Sequence, residues 1–147
     1  MKLATKAYGL IDVDEKQKII IPEGLFGFED IKEYALLDAE SGPFYWLQSL
    51  SRREIAFVLI NPFLFRPDYE VDISNEEMLE IGVTSAENAL VFALVTIPAD
   101  GSPITANLQG PLLINKESRI AKQAVLADPR RRTRHDIAAE MNPRENQ

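Results

Sequence analysis

The run Ile55-Ala56-Phe57-Val58-Leu59-Ile60 is apolar throughout and stops at Asn61-Pro62. A short run of this kind reads as a strand buried in a sheet. The thirteen positions that follow, Asn61 to Ile73, hold two prolines, three aromatic residues and three carboxylates. A proline has no N–H to give to a ladder, so this stretch is not a central strand. The chain must leave its core here while carrying rings and negative charge outward. Any fold for this sequence therefore has a buried strand opening directly into an irregular, aromatic and acidic segment. Such a segment either builds a protein-binding surface or closes the end of a small barrel.

The rest of the chain repeats short apolar runs between turn signals, the pattern of a β domain. Residues 4–13 alternate loosely around Gly9, which predicts a bent strand or hairpin. Asp14 to Gln17 is a polar turn, and Lys18-Ile19-Ile20-Ile21 is a strand stopped by Pro22. Pro22 to Glu29 is a loop in which Gly24 and Gly27 permit positive φ. Residues 33–38 read as a strand, Ser41-Gly42-Pro43 as a turn, and Phe44 to Leu50 as an aromatic strand holding the single tryptophan. Ser51 to Glu54 joins it to 55–60 as a hairpin. Ser74-Asn75-Glu76-Glu77 has the form of a capping box opening a helix over 75–81, with Ile73 and Met78 as its staple and Gly82 as its stop.

Ala89 to Ile97 is nearly all apolar, and its β-branched and aromatic content predicts a strand buried on both faces. Ile104 to Gln109 reads as a half-buried strand, Gly110-Pro111 as a bend, Leu112 to Ile114 as a further core strand and Ile120 to Leu126 as the last. About nine short strands predict a mostly β fold, a small compact barrel-like single domain over residues 1–127 with one or more short helices, because closure hides strand edges. Residues 128–147 read as a basic, then polar tail, expected to be the least ordered part of the chain.

A chain of 147 residues fits one domain, and a hydrophobic content of 46% suffices for one core. No apolar run reaches the roughly 18 residues that a membrane helix needs. Met1 to Lys6 leads into a polar turn with no apolar signal-peptide core, and cysteine is absent; both point to the cytoplasm. Residues 1–127 carry 11 Lys/Arg against 19 Asp/Glu, whereas residues 128–147 carry 5 against 4. Between Arg66 and Lys116 there are eight acidic residues and no basic one. Such a body repels phosphate backbones and attracts basic partners, unless its acids simply form a solvated face. No direct nucleic-acid binding is expected, although Arg130-Arg131-Arg132 and Arg134 cluster near the end. A salt bridge back to the acidic body is the expected use of those arginines.

The search for chemistry finds little. There is no phosphate loop, and Gly24-Leu25-Phe26-Gly27 has the wrong spacing for a dinucleotide turn. His135 is the sole histidine, so a histidine-based zinc site or triad would rest on one tail residue. Asp68, Glu70 and Asp72 alternate and share one face of an extended segment, but nothing beside them supplies a substrate pocket, a nucleophile or a calcium loop. No catalysis, metal or cofactor is expected. Asn61 and Asn107 stand at or near strand ends, where an asparagine either satisfies the backbone or makes an interface contact. Phe63 and Phe65 either anchor a partner or plug a barrel end. A small-molecule carrier, with a ligand inside the barrel, is the alternative reading; the many large core side chains speak for a filled interior instead.

Five blocks in fixed order carry a resemblance to a known family: Pro22 to Glu29, Phe44 to Ser49, Ala56 to Phe63, Pro67 to Ile73 and Thr105 to Asn115. Together, over about residues 3–127, they resemble the bacterial flagellar assembly factor FliW. The resemblance implies a non-enzymatic regulator with a compact β-barrel-like fold. Such proteins bind CsrA, an RNA-binding translational repressor, and keep it off flagellin mRNA; newly made flagellin captures FliW and frees CsrA. On this reading Asn61, Phe63, Phe65, Asp68, Tyr69, Glu70, Asp72 and Asn107 are candidate partner-binding residues, on one contact surface formed by the 61–72 segment and the strand containing Asn107.

Overall fold

The structure, a computed structural model, describes residues 1–40 and 42–141. Strands β1 (Lys2–Thr5) and β2 (Gly9–Asp12) form the hairpin that the alternation around Gly9 predicts. The body follows as β3 (Lys18–Ile20), β4 (Glu33–Asp38), β5 (Phe44–Ser49), β6 (Ala56–Ile60), β7 (Ala89–Thr96), β8 (Thr105–Asn115) and β9 (Ala121–Gln123). Each of these is antiparallel to the next. The path comes back on itself at the bridge Ile20–Ile120, where the Ile20 N–H donates to the Arg119 carbonyl at 3.0 Å. The fold is therefore mostly β, a nearly closed barrel-like sheet, which leaves few free strand edges.

Side chains alternate across the sheet, so one set fills the barrel. Every strand of the body contributes to that cluster: Ile19, Tyr34, Leu47, Leu59, Phe92, Leu112 and Ala121. Leu113 points the other way and, with Ile81, Val83 and Ala124, seats helix α1 (Asn75–Leu79) on the outside. Leu3 and Val13 pack the first hairpin onto Ala35 and Leu37, beside Trp46. A further cluster joins Ile60, Phe65, Tyr69, Ala93, Ala106, Leu108, Leu126 and Ile137. This last group ties the irregular 61–73 segment to the sheet.

Several expectations are corrected. β7 is only half-buried at most positions, and its first half, residues 89–92, borders an open cleft with Tyr45, Phe63 and Lys116. Helix α1 ends at Leu79, and Gly82, with φ +73°, completes the stop. Ser74 caps it by accepting from the Glu77 N–H at 3.2 Å, but the Glu77 carboxylate turns to Lys122, 3.4 Å away. β8 is one continuous strand across Gly110-Pro111. Its register against β7 passes from Phe92–Leu112 to Leu94–Asn107, so two steps along β7 face five along β8. The bend is thus a large bulge within a strand.

Residues 128–141 are not a loose tail, and the folded domain runs past residue 127. They form a strap across the bulge. β10 (His135–Asp136) pairs with Ala106 and Thr105 of β8, and helix α2 (Ile137–Met141) follows. The physical reason lies in the backbone. Leu108 and Gln109 are looped out of the β7 ladder, and their N–H groups donate to the Arg132 carbonyl at 3.0 and 3.1 Å. Residues 142–147 of the expected tail, and Ser41 of the expected turn, lie outside the described residues.

The loop before β4 shows how tightly one barrel end is closed. Gly24 has φ +69°, and a Cβ there would lie 2.6 Å from the Glu29 Cα and the Phe28 carbonyl oxygen. Gly27 also has positive φ, +88°, but faces open space. Gly24→Ala is expected to lower stability by at least about 3 kcal/mol and Gly27→Ala by about 1–2 kcal/mol, the second reflecting backbone strain alone. Urea unfolding of the two variants checks this; equal losses would contradict the close approach at Gly24.

Candidate partner-binding surface

The 61–73 segment is shaped by its own sequence. Asn61 caps a 3-10 turn, Pro62–Leu64, its Oδ1 accepting from the Phe63 N–H at 3.0 Å, and Pro62 occupies the first turn where no N–H is needed. The turn leaves Phe63 and Leu64 exposed and drives Phe65 into the core. A turn over Arg66–Tyr69, closed by the Tyr69 N–H donating to the Arg66 carbonyl at 3.0 Å, leads into an irregular run in which exposed and buried residues alternate. Asp68, Glu70 and Asp72 face solvent, while Tyr69 is buried and Val71 and Ile73 are half-buried against the sheet. The alternating acids expected from the sequence therefore do form one outward row.

Tyr69 fixes that row in place. Its hydroxyl donates to the Leu108 carbonyl at 2.5 Å, on the bulge of β8. Its ring packs 5.9 Å from that of Phe63, and the Arg131 guanidinium lies over its face at 5.3 Å. Asn107 builds the bulge itself, its Oδ1 accepting from the N–H groups of Gln109 and Gly110 at 3.0 and 2.8 Å. Gln123, buried, donates to the Gly110 carbonyl at 3.0 Å and accepts from the Phe26 N–H at 2.9 Å, which links the bulge to the 22–29 loop. The eight sequence candidates fall into two ranks. Phe63, Asp68, Glu70 and Asp72 are exposed; Phe65 and Tyr69 are buried, and Asn61 and Asn107 bond backbone N–H groups.

The strap supplies what the sequence reading missed. Arg131 is 3% exposed and packs on Tyr69. His135 accepts from the Arg132 N–H through Nε2 at 2.8 Å and meets Glu140 through Nδ1 at 2.9 Å. Arg66 lies 2.9 Å from Asp68 and 3.7 Å from Glu140, so the ion pair between body and strap runs from a body cation to a strap acid. Among the described residues no tail arginine forms the expected ion pair with a body acid, although the charges of Glu70 and Asp68 act on Arg130. Arg130 instead clasps Asp128 in its own segment, which holds the Asp128 carboxyl down at about 2. Only the apolar trio Ile137-Ala138-Ala139 hinted in the sequence that this segment docks.

Glu70 and Asp72 border a cleft of about 420 Å³ with Leu126 and residues 127–130. The cleft holds acids and one basic side chain and no nucleophile. Among the described residues no three His, Asp or Glu side chains converge as metal ligands would. The chemistry available here is charge complementarity and apolar contact, which suits binding a protein.

Residues 2–137 match the family model described as FliW protein. A relative named flagellar assembly factor FliW, from Treponema denticola, is 54% identical over 142 residues, covering 97% of each chain. The protein of that name from Treponema pallidum is 48% identical over 147 residues, covering 100% of this chain and 98% of its own. A crystal structure of the flagellar assembly factor FliW superimposes with a TM-score of 0.85 at 34% identity, covering 93% of this chain and 96% of that one. The family match extends to Ile137, through the strap that crosses the bulge.

Two buried tyrosines separate the role of the Tyr69 hydroxyl from burial in general. Burial raises both phenols, that of Tyr34 up to about 12 with a contribution from Asp30, and that of Tyr69 against an opposing effect of Arg131. Among the described residues the Tyr34 hydroxyl has no hydrogen-bond partner, whereas that of Tyr69 does. Tyr69→Phe is expected to cost about 1–2 kcal/mol in chemical denaturation and Tyr34→Phe close to nothing. An unfolded phenol ionises near 10 while the folded chain keeps its proton, so this stabilisation is complete below about pH 10 and is lost as pH rises toward the folded values. Alkaline titration of the urea midpoint is expected to fall less steeply between pH 10 and 12 in Tyr34→Phe; an unchanged slope would contradict the Tyr34 shift.

Proposed function

The chain belongs to the FliW family, and we propose that it serves as a flagellar assembly factor by binding CsrA and relieving repression of flagellin mRNA. Flagellin acts as the counter-switch: when it accumulates it takes the FliW chain and releases CsrA. The protein is not an enzyme. Such a role is cytoplasmic, and among the described residues no helix is long and apolar enough to cross a membrane.

The observation that supports this reading best is the row Asp68, Glu70 and Asp72, presented outward from a segment whose alternate residues are held by the core. A protein that binds RNA carries Lys and Arg, which such a row attracts. Once the acidic body lies beside an RNA-binding surface, phosphates are repelled from it even where the RNA site itself is uncovered. Phe63 adds an exposed ring to the same surface, while Asn61, Phe65, Tyr69 and Asn107 hold the surface from below. The carrier reading has less support, since side chains from every barrel strand fill the interior.

An RNA gel shift with CsrA of the same organism tests the proposal. Adding this protein is expected to dissolve the CsrA–RNA complex, and adding flagellin afterwards is expected to restore it; no effect of the first addition would remove the proposal. The surface is tested separately by reversing Asp68, Glu70 and Asp72 to lysine. At low salt, affinity for at least one of the two partners is expected to drop by about tenfold or more, with a smaller effect as salt rises. Unchanged affinity for both would show that the row is only a solvated face.

A further inference from the structure

The first half of β7 keeps one edge open. On the β6 side its pairing stops at Ile60–Ala93, because the chain leaves the sheet at Asn61. Continuing that register would set Pro62 opposite Val91, and a proline has no N–H to offer. Which backbone groups stay free follows from the other side of the strand. The Lys116 N–H donates to the Asn88 carbonyl at 2.8 Å. In an antiparallel ladder Asn88, Leu90 and Phe92 therefore turn their backbone groups to β8, while Ala89 and Val91 turn theirs to the open edge. The Ala89 N–H folds back to the Ala86 carbonyl. The Ala89 carbonyl and both backbone groups of Val91 meet no partner among the described residues.

This edge borders a cleft of about 280 Å³. Tyr45 lies on one face of the sheet, in the barrel-filling cluster with Leu90 and Phe92, its ring 5.2 Å from that of Phe92. Phe63 lies on the other face, against Tyr69, whose cluster includes Val91. Lys116 stands at the Ala89 end. It is exposed, it is the single charged residue on the cleft wall, and it forms no ion pair among the described residues. The cleft thus has the opposite charge to the row of Asp68, Glu70 and Asp72.

We propose that this edge is a binding site for an extended acidic peptide, which adds to β7 as an antiparallel strand and sets a carboxylate near its C-terminal end on Lys116. One peptide residue opposite Val91 exchanges two backbone bonds with it, and the residue two further on donates to the Ala89 carbonyl. Side chains on either face of the added strand meet the Tyr45 and Phe63 rings. A helix cannot take this place, because its own N–H and C=O groups are already paired within it. Three backbone bonds and one exposed ion pair make a modest, reversible contact. The short free stretch also limits indiscriminate edge-to-edge pairing.

The test titrates the isotope-labelled full-length chain with a capped peptide of threonine, valine, threonine, valine and glutamate, in that order, and follows the backbone amides by NMR. The Val91 amide proton is expected to move downfield and to be among the largest shifts. N-methylation of the third peptide residue removes the donor to the Val91 carbonyl and is expected to weaken binding by about tenfold, a change in the peptide that leaves the protein fold untouched. Lys116→Glu, at an exposed position, is expected to weaken binding about threefold or more at low salt, and a peptide ending in lysine is expected to bind that variant better than it binds the wild-type chain. An unmoved Val91 amide at millimolar peptide, or equal binding of the N-methylated peptide, would overturn the strand addition. Equal binding of both peptides to both chains would overturn the role of Lys116.

Discussion

The bulge in β8 is the constraint on which the surface depends. A strand that loops out of its ladder exposes backbone donors and acceptors, and inside a protein each of these needs a partner. Here Asn107 takes two of the N–H groups, the Arg132 carbonyl takes those of Leu108 and Gln109, and Tyr69 donates to the Leu108 carbonyl. At roughly 1 kcal/mol for each such bond, none decides the fold alone. Together they bind three stretches far apart in sequence, the 61–73 segment, β8 and the strap, into one end of the barrel. Phe65, Tyr69, Leu126 and Ile137 then bury the apolar faces between them.

This arrangement explains how an acidic row can be held in a definite geometry without a ladder of its own. Asp68, Glu70 and Asp72 need not be neutralised in the fold, because every second residue carries the packing instead. Arg66 meets Asp68, and Arg130, held mainly by Asp128, lies within the field of Glu70 and Asp68. Exposed pairs of this kind contribute little to stability. The row is thus exposed without a large energetic cost to the fold.

Much of the fold was legible in the sequence, and the reasons are physical. Glu33–Asp38, Ala56–Ile60 and the Ser74 cap follow from local patterning, and the alternation of Asp68, Glu70 and Asp72 with Tyr69 and Val71 survives in the structure because it reflects one face against a core. The strap was not legible. Arg130 to Arg134 look like a solvated tail until the unpaired N–H groups of the bulge are known, and those depend on a long-range register between β7 and β8. Gln123 and Arg131 escaped for the same reason: each is polar, buried and satisfied or stacked only by residues distant in sequence. Asn107 showed its position near a strand end but not the bulge it makes.

The central claim is that the acidic row of the 61–73 segment, held from below by Phe65 and Tyr69, is the face proposed to meet a protein partner. Amide hydrogen exchange on the full-length chain, alone and with CsrA of the same organism, tests it most directly. Slower exchange in the complex concentrated between residues 61 and 73, with the barrel ladders unchanged, is the result expected. Slowing confined to other parts of the chain, with 61–73 exchanging as in the free protein, would contradict it.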